Sequence, residues 1–311
     1  MKIVLDSIVQ GVRNAWRNKF LTGIMFLFNL VFSLAVLFPL YMMFSKSFAT
    51  NVKAFHFLNS FDPSLFMDFA YYWRKTLAIY VCMVILLCAV AVTGVIFLSG
   101  GFWGILRDEV RRRKEGSAFD LSRPRMERFL GYCGRYFWGM FKIWWFMVIL
   151  YLMALVLFLV ICAVFGSLAG KASFWPPTSW RAIVKILIGA VLFLLVNMIG
   201  DYLKIFFIEH SDESFLHLVK KTSKFLLTNP LGALSLRYSL ALISVAVAFV
   251  YLGLNTMLEG ISGTGFVIFT TFLVQQIFVV FRSFCRLMGY SSQLGLYNTV
   301  SQGEENTPQP Q

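Results

Sequence analysis

Residues 78–98 read "AIYVCMVILLCAVAVTGVIFL", twenty-one positions without a charge, a side-chain amide or a proline. At ~1.5 Å per helical residue the run is long enough to cross a ~30 Å hydrocarbon core. Apolar and polar residues do not alternate along it, which excludes the strands of a transmembrane β-barrel. A backbone in lipid has no water to bond, so such a run must satisfy itself as a helix. Comparable segments recur, giving six spans at about 20–44, 77–106, 137–165, 183–208, 233–256 and 264–289. The 311-residue chain is 59% hydrophobic and 14% charged, with mean hydropathy +0.73. The predicted class is all-α: a polytopic membrane protein of six transmembrane helices in three hairpins, with cytoplasmic interfacial amphipathic helices. Residues 1–19 are the first of these, 20–289 the membrane domain, and 290–311 a cytoplasmic tail ending in the polar, disordered "SQGEENTPQPQ".

Orientation follows from basic residues, which accumulate on the cytoplasmic side. Twenty-one of the 28 lysines and arginines lie in the N-terminal flank, in 107–142, in 203–237 and at the end of the sixth span. The other seven lie in the opposite loops. Both ends are therefore expected in the cytoplasm. The net charge of +13 is a topology signal first, with attraction to anionic headgroups as a second effect. Nucleic acid is not an expected partner. The first apolar run starts too late and runs too long for a secretory signal. The five cysteines are scattered, form no metal or redox spacing, and read as small apolar residues.

The stretch "LDSIVQGVRNAWRNKFLTG" puts Leu5, Ile8, Val9, Val12, Ala15 and Trp16 on one helical face. That suits a helix lying in the membrane interface. "SFLHLVKKTSKFLLTNPLG" aligns with it when Asn18 is set against Asn229, and "RPRMERFLGYCGRYFWGMFKIWW" is a looser copy. Either three repeats of interfacial helix and hairpin exist, or three amphipathic helices resemble each other by chance. On the outer side, "NSFDPSLFMDFAYYWRK" reads as an aromatic helix, an anchoring belt or a lid. Trp16, Trp73, Trp175 and Trp180 are the expected interfacial anchors.

Ionisable residues within spans are functional candidates when a partner can be named. Asp201 lies eighteen residues along span four and Arg282 eighteen along span six, both spans running inward. Equal depth predicts an Asp201–Arg282 ion pair, with Arg286 as substitute, and with Asn197, Gln275 and Gln276 joining the network. The pair is either a structural tie or a working carboxylate. His210, Glu213 and His217 share a helical face and are the one metal-ligand candidate; a solvated helix end is the alternative. No nucleophile–base set, phosphate loop or dinucleotide fingerprint occurs, so neither catalysis nor a cofactor is expected.

The stretches "GDYLKIFFIEHSDESFLHLVKKTSKFLLTNPLGAL" and "FLVQQIFVVFRSFCRLMGYSSQLGLYNTV" resemble a group of uncharacterised bacterial six-span membrane proteins. The matching positions are Asp201, Asn229, Pro230, Gln275, Gln276, Arg282, Arg286 and Ser292. More distantly, the plan is similar to the membrane-anchor domain of some glycerophosphodiester phosphodiesterases. Their catalytic domain has no counterpart in these residues, so the resemblance implies the anchor plan and not the activity. It also implies a bacterial inner-membrane location. The expected function is a non-enzymatic accessory, assembly or lipid-associated factor, partnered by the bilayer and by another membrane protein. The alternative is a small permease or lipid transporter with a polar cavity near Asp201 and Arg282.

Overall fold

The computed structural model describes residues 2–48, 67, 71–115, 125–171, 178–259 and 265–305. Among them every regular element is helical: α1 Lys2–Arg17, α2 Lys19–Phe48, α3 Arg74–Glu115, α4 Arg125–Lys171, α5 Thr178–Glu209, α6 Phe215–Thr228, α7 Pro230–Glu259 and α8 Gly265–Glu305. Six of the eight, α2 to α5, α7 and α8, are long and apolar enough to span a membrane. Their most apolar windows keep at most 17% of residues buried within the protein. Side chains such as Ile85, Leu152, Val156 and Phe249 are left outward, where only a nonpolar surrounding is compatible with them. The outer aromatic helix expected over 59–75 and the loop before Thr178 fall largely outside the described residues.

The described chain divides into two compact units. The smaller, Gly23–Val95, pairs parts of α2 and α3. Pro39 interrupts the α2 hydrogen-bond ladder, and one turn earlier the Val36 carbonyl accepts from the Tyr80 hydroxyl at 3.1 Å. Gly94 lies against the Phe28 ring, which a Cβ would approach to 2.7 Å.

The larger unit, Met1–Thr22 with Ile96–Gln311, holds most of the core. Its buried side chains come from α1, the start of α2, the end of α3, the start of α4, the end of α5, α6, the start of α7 and the end of α8. The last contribution corrects the expected tail. α8 does not stop near residue 289, and every side chain from Tyr290 to Tyr297 is buried. Trp103 of α3 packs on Tyr290 at 4.8 Å, and Phe206 of α5 and Phe225 of α6 pack on Tyr297 at 4.9 and 5.6 Å. α1 crosses the same segment so closely that a Cβ on Gly11 would collide with Ser292 Oγ and stand 2.8 Å from the Met288 carbonyl oxygen. Asn14 Nδ2 donates to Ser291 Oγ at 2.9 Å across this contact. Small residues let the two backbones approach, as they do in membrane helix pairs.

The repeat is visible in burial. Ser7, Gly11, Asn14, Thr22 and Met25 are buried, and so are Leu218, Thr222, Phe225, Ala233 and Leu236, each 211 positions later. Both copies break for one residue, at Asn18 and at Asn229. The Asn18 amide donates to the Asn14 carbonyl at 2.9 Å, competing with the helix ladder, and Pro230 has no N–H to continue it. The third copy keeps the rhythm at Phe129, Cys133, Tyr136, Met140, Ile143 and Met147 but not the break, since α4 runs unbroken from Arg125 to Lys171. Met140, a good helix former, stands where the other copies carry asparagine.

Candidate functional site

Asp201 lies near the end of α5, 6% exposed, and three donors converge on its carboxylate. Arg237 NH1 of α7 donates to Oδ2 at 3.0 Å, Gln293 Nε2 of α8 to Oδ2 at 3.3 Å, and Lys204 Nζ to Oδ1 at 3.4 Å. One carboxylate thus ties α5, α7 and α8 together. Tyr202 is fully buried beside it and stacks obliquely on Phe225 at 5.4 Å. Three buried polar atoms here, Tyr202 Oη, Gln293 Oε1 and Arg237 Nε, have no hydrogen-bond partner among the described residues.

The expected partner is corrected. Arg282 faces outward on α8 and forms no ion pair among the described residues. Equal distance along two spans says nothing about which way a side chain points. Arg237 reaches Asp201 from near the start of α7. Arg286 bonds Tyr290 Oη through Nε at 2.7 Å, one turn away on α8. Asn197 turns back to the Phe193 carbonyl at 3.0 Å. Gln275 is exposed and Gln276 half-buried, and neither hydrogen-bonds the Asp201 cluster among the described residues. Of six expected members, Asp201 alone stands at the centre.

A second polar tie joins α3, α4 and α5. Arg107 Nε meets Glu209 Oε2 at 3.2 Å and Arg107 NH1 donates to Tyr136 Oη at 3.4 Å, while Tyr132 Oη donates to Asp108 Oδ2 at 2.6 Å. Beside it, a Cβ on Gly101 would stand 2.5 Å from Cys133 Sγ, and one on Gly104 2.5 Å from the Tyr132 ring. Gly100 and Gly104 form a GxxxG spacing in "SGGFWG", a readable signal for close helix approach that the sequence reading passed over.

The candidate metal face is a clamp of another kind. Glu213 holds His217 Nδ1 at 2.7 Å through one oxygen and Lys221 Nζ at 2.5 Å through the other. Lys221, with a smaller contribution from His217, holds the Glu213 carboxyl below the usual range. His210 stacks on Phe206 at 6.2 Å instead. The other nearby carboxylates are engaged elsewhere, Glu209 by Arg107 and Asp108 by Tyr132. Among the described residues no three His, Cys, Asp or Glu side chains converge as a metal site.

Of the expected anchors, Trp16 is 62% exposed with Lys19 Nζ 4.2 Å over its ring. Trp73 is half-buried and meets Tyr72 edge-on at 5.6 Å. Trp175 and the Trp180 side chain lie outside the described residues. The chain matches no protein-family model, no curated protein and no solved structure.

Proposed function

We propose that this integral membrane protein is a non-enzymatic accessory factor, a scaffold of the bacterial inner membrane with both ends on the cytoplasmic side. The observation that carries the reading is the state of Asp201: buried, and bonded by a guanidinium, an amide and an ammonium from three helices. A carboxylate that handles a solute or proton must be reachable, whereas one that ties helices is best kept dry and saturated with donors. The bias of basic residues toward one set of loops supports the orientation, and the resemblance of the second half supports the membrane.

The test is water access at the tie. In a cysteine-free background, Gln293→Cys in the folded protein should resist a hydrophilic maleimide in nanodiscs and react only after unfolding. Rapid labelling in the folded state, with Asp201→Asn retaining its thermal midpoint, would move the reading to the permease, because the carboxylate would then be both wet and dispensable to the fold.

A further inference from the structure

α1 and α6 share a buried pattern but differ on the opposite, outward line. In α6 that line is Leu216, Lys220, Ser223 and Leu227, half of it polar. In α1 the corresponding positions, each 211 residues earlier, are Leu5, Val9, Val12 and Trp16, all apolar and all exposed. Packing within the protein asks little of this line: Trp16 meets Phe284 of α8 edge-on at 6.2 Å, while Leu5, Val9 and Val12 are left outward, and the other copy packs with a polar line. Along α1 the outward side forms a shallow, almost wholly apolar depression of about 440 Å³, lined by Ile8, Val9, Val12, Arg13, Trp16 and Arg17.

Charge identifies the occupant. Arg13 and Arg17 stand on the rim, Lys19 lies over the Trp16 ring, and α1 carries a single acid, Asp6. Arg17 pairs with Glu109 at 3.9 Å, a long contact with the arginine side chain 57% exposed, so the pair is weak and the guanidinium keeps donors for a second anion. An apolar floor with cationic corners fits a molecule with a hydrocarbon body and an anionic head. A tryptophan paired with a lysine is the side-chain combination that settles at headgroup level.

We propose that the outward groove of α1 is a binding site for an anionic phospholipid, with acyl chain against Val9, Val12 and Trp16 and phosphate between Arg13 and Arg17. It rests on the reading that the chain is embedded in a bilayer, and it does not depend on what Asp201 does. α6, with the same fold and a polar outer line, is the built-in comparison.

The experiment uses the full chain in nanodiscs of phosphatidylcholine with rising fractions of brominated phosphatidylglycerol, then of brominated phosphatidylcholine. Trp16 emission is isolated as the difference from Trp16→Phe. Half-maximal quenching is expected at a several-fold lower fraction of brominated phosphatidylglycerol than of brominated phosphatidylcholine. Arg17→Gln should raise the phosphatidylglycerol threshold about fivefold, the value of one cation at an anionic surface. Lys224→Gln on α6 should leave it unchanged. Equal quenching by both lipids would overturn the proposal, and so would absence of quenching by either, which would mean that water or protein covers the groove. Gln293→Cys labelling in the same nanodiscs reports on the scaffold reading separately.

Discussion

Asp201 and Arg237 are unequal partners in burial, with side chains 8% and 22% exposed, so the carboxylate has more to lose when the pair is broken. Removing one member of a buried ion pair leaves the other uncompensated. Asp201→Asn and Arg237→Gln are each expected to lower stability in detergent by about 3 kcal/mol, the low end of that range because Arg237 reaches the surface. The double variant should cost clearly less than the two singles summed, as a double-mutant cycle in chemical denaturation will show. Arg282→Gln, outward-facing, should change stability by no more than about 0.5 kcal/mol. Glu213 supplies a pH-dependent feature. Its folded pKa lies below the unfolded one, so the stabilisation of the α5–α6 corner is complete above the ordinary carboxylate range and is lost as pH falls through the folded value. Hydrogen exchange across 213–221, corrected for intrinsic rates, should lose protection only in acid, and Glu213→Gln should remove that dependence.

Among elements, glycines separate contacts from mere positions. Gly11 and Gly104 each face an atom of another helix at a distance that no Cβ tolerates, Ser292 Oγ and the Tyr132 ring. Gly131 and Gly232 face open space. Gly11→Ala and Gly104→Ala should therefore destabilise by roughly 1–3 kcal/mol through overpacking, measured as thermal midpoints in one detergent. Gly131→Ala should stabilise by roughly 0.5–1 kcal/mol, because a helical glycine with no neighbour contributes only backbone entropy. The break at Asn18 and Asn229 belongs to this scale too. At Asn18 the side-chain amide competes for the Asn14 carbonyl, whereas at Asn229 the interruption falls where Pro230 has no N–H to continue the ladder. That α4 lacks the break fits Met140, but the register that sets Met140 against the two asparagines comes from burial and not from the sequence.

In the larger unit the core gathers at the α1-bearing ends of the helices, and α8 supplies its centre. Truncation after Gly289 would remove Ser291 and Ser292 from α1, Gln293 from Asp201 of α5 and Tyr297 from Phe206 of α5 and Phe225 of α6, together with the buried Leu294 and Leu296. That deletion should abolish accumulation of folded protein, whereas truncation after Glu305 should not, as fluorescence-detected size exclusion of tagged variants would report. Length and apolarity alone determined the helical class and the six spans, because lipid admits no other backbone for such runs. They also marked Asp201 as the buried acid, since a lone carboxylate near a span end must find a cation. Three things were decided by tertiary packing. Arg237 and not Arg282 meets Asp201, because axial depth is written in sequence but azimuth is set by neighbouring helices. Residues 290–297 became core, because "GYSSQLGLYNTV" is only moderately apolar and its small and polar groups are satisfied by partners distant in sequence, such as Asn14. The faces of α1 were assigned by the same contact: its small and polar side packs inward on α8, and its apolar side is left for whatever lies outside the protein.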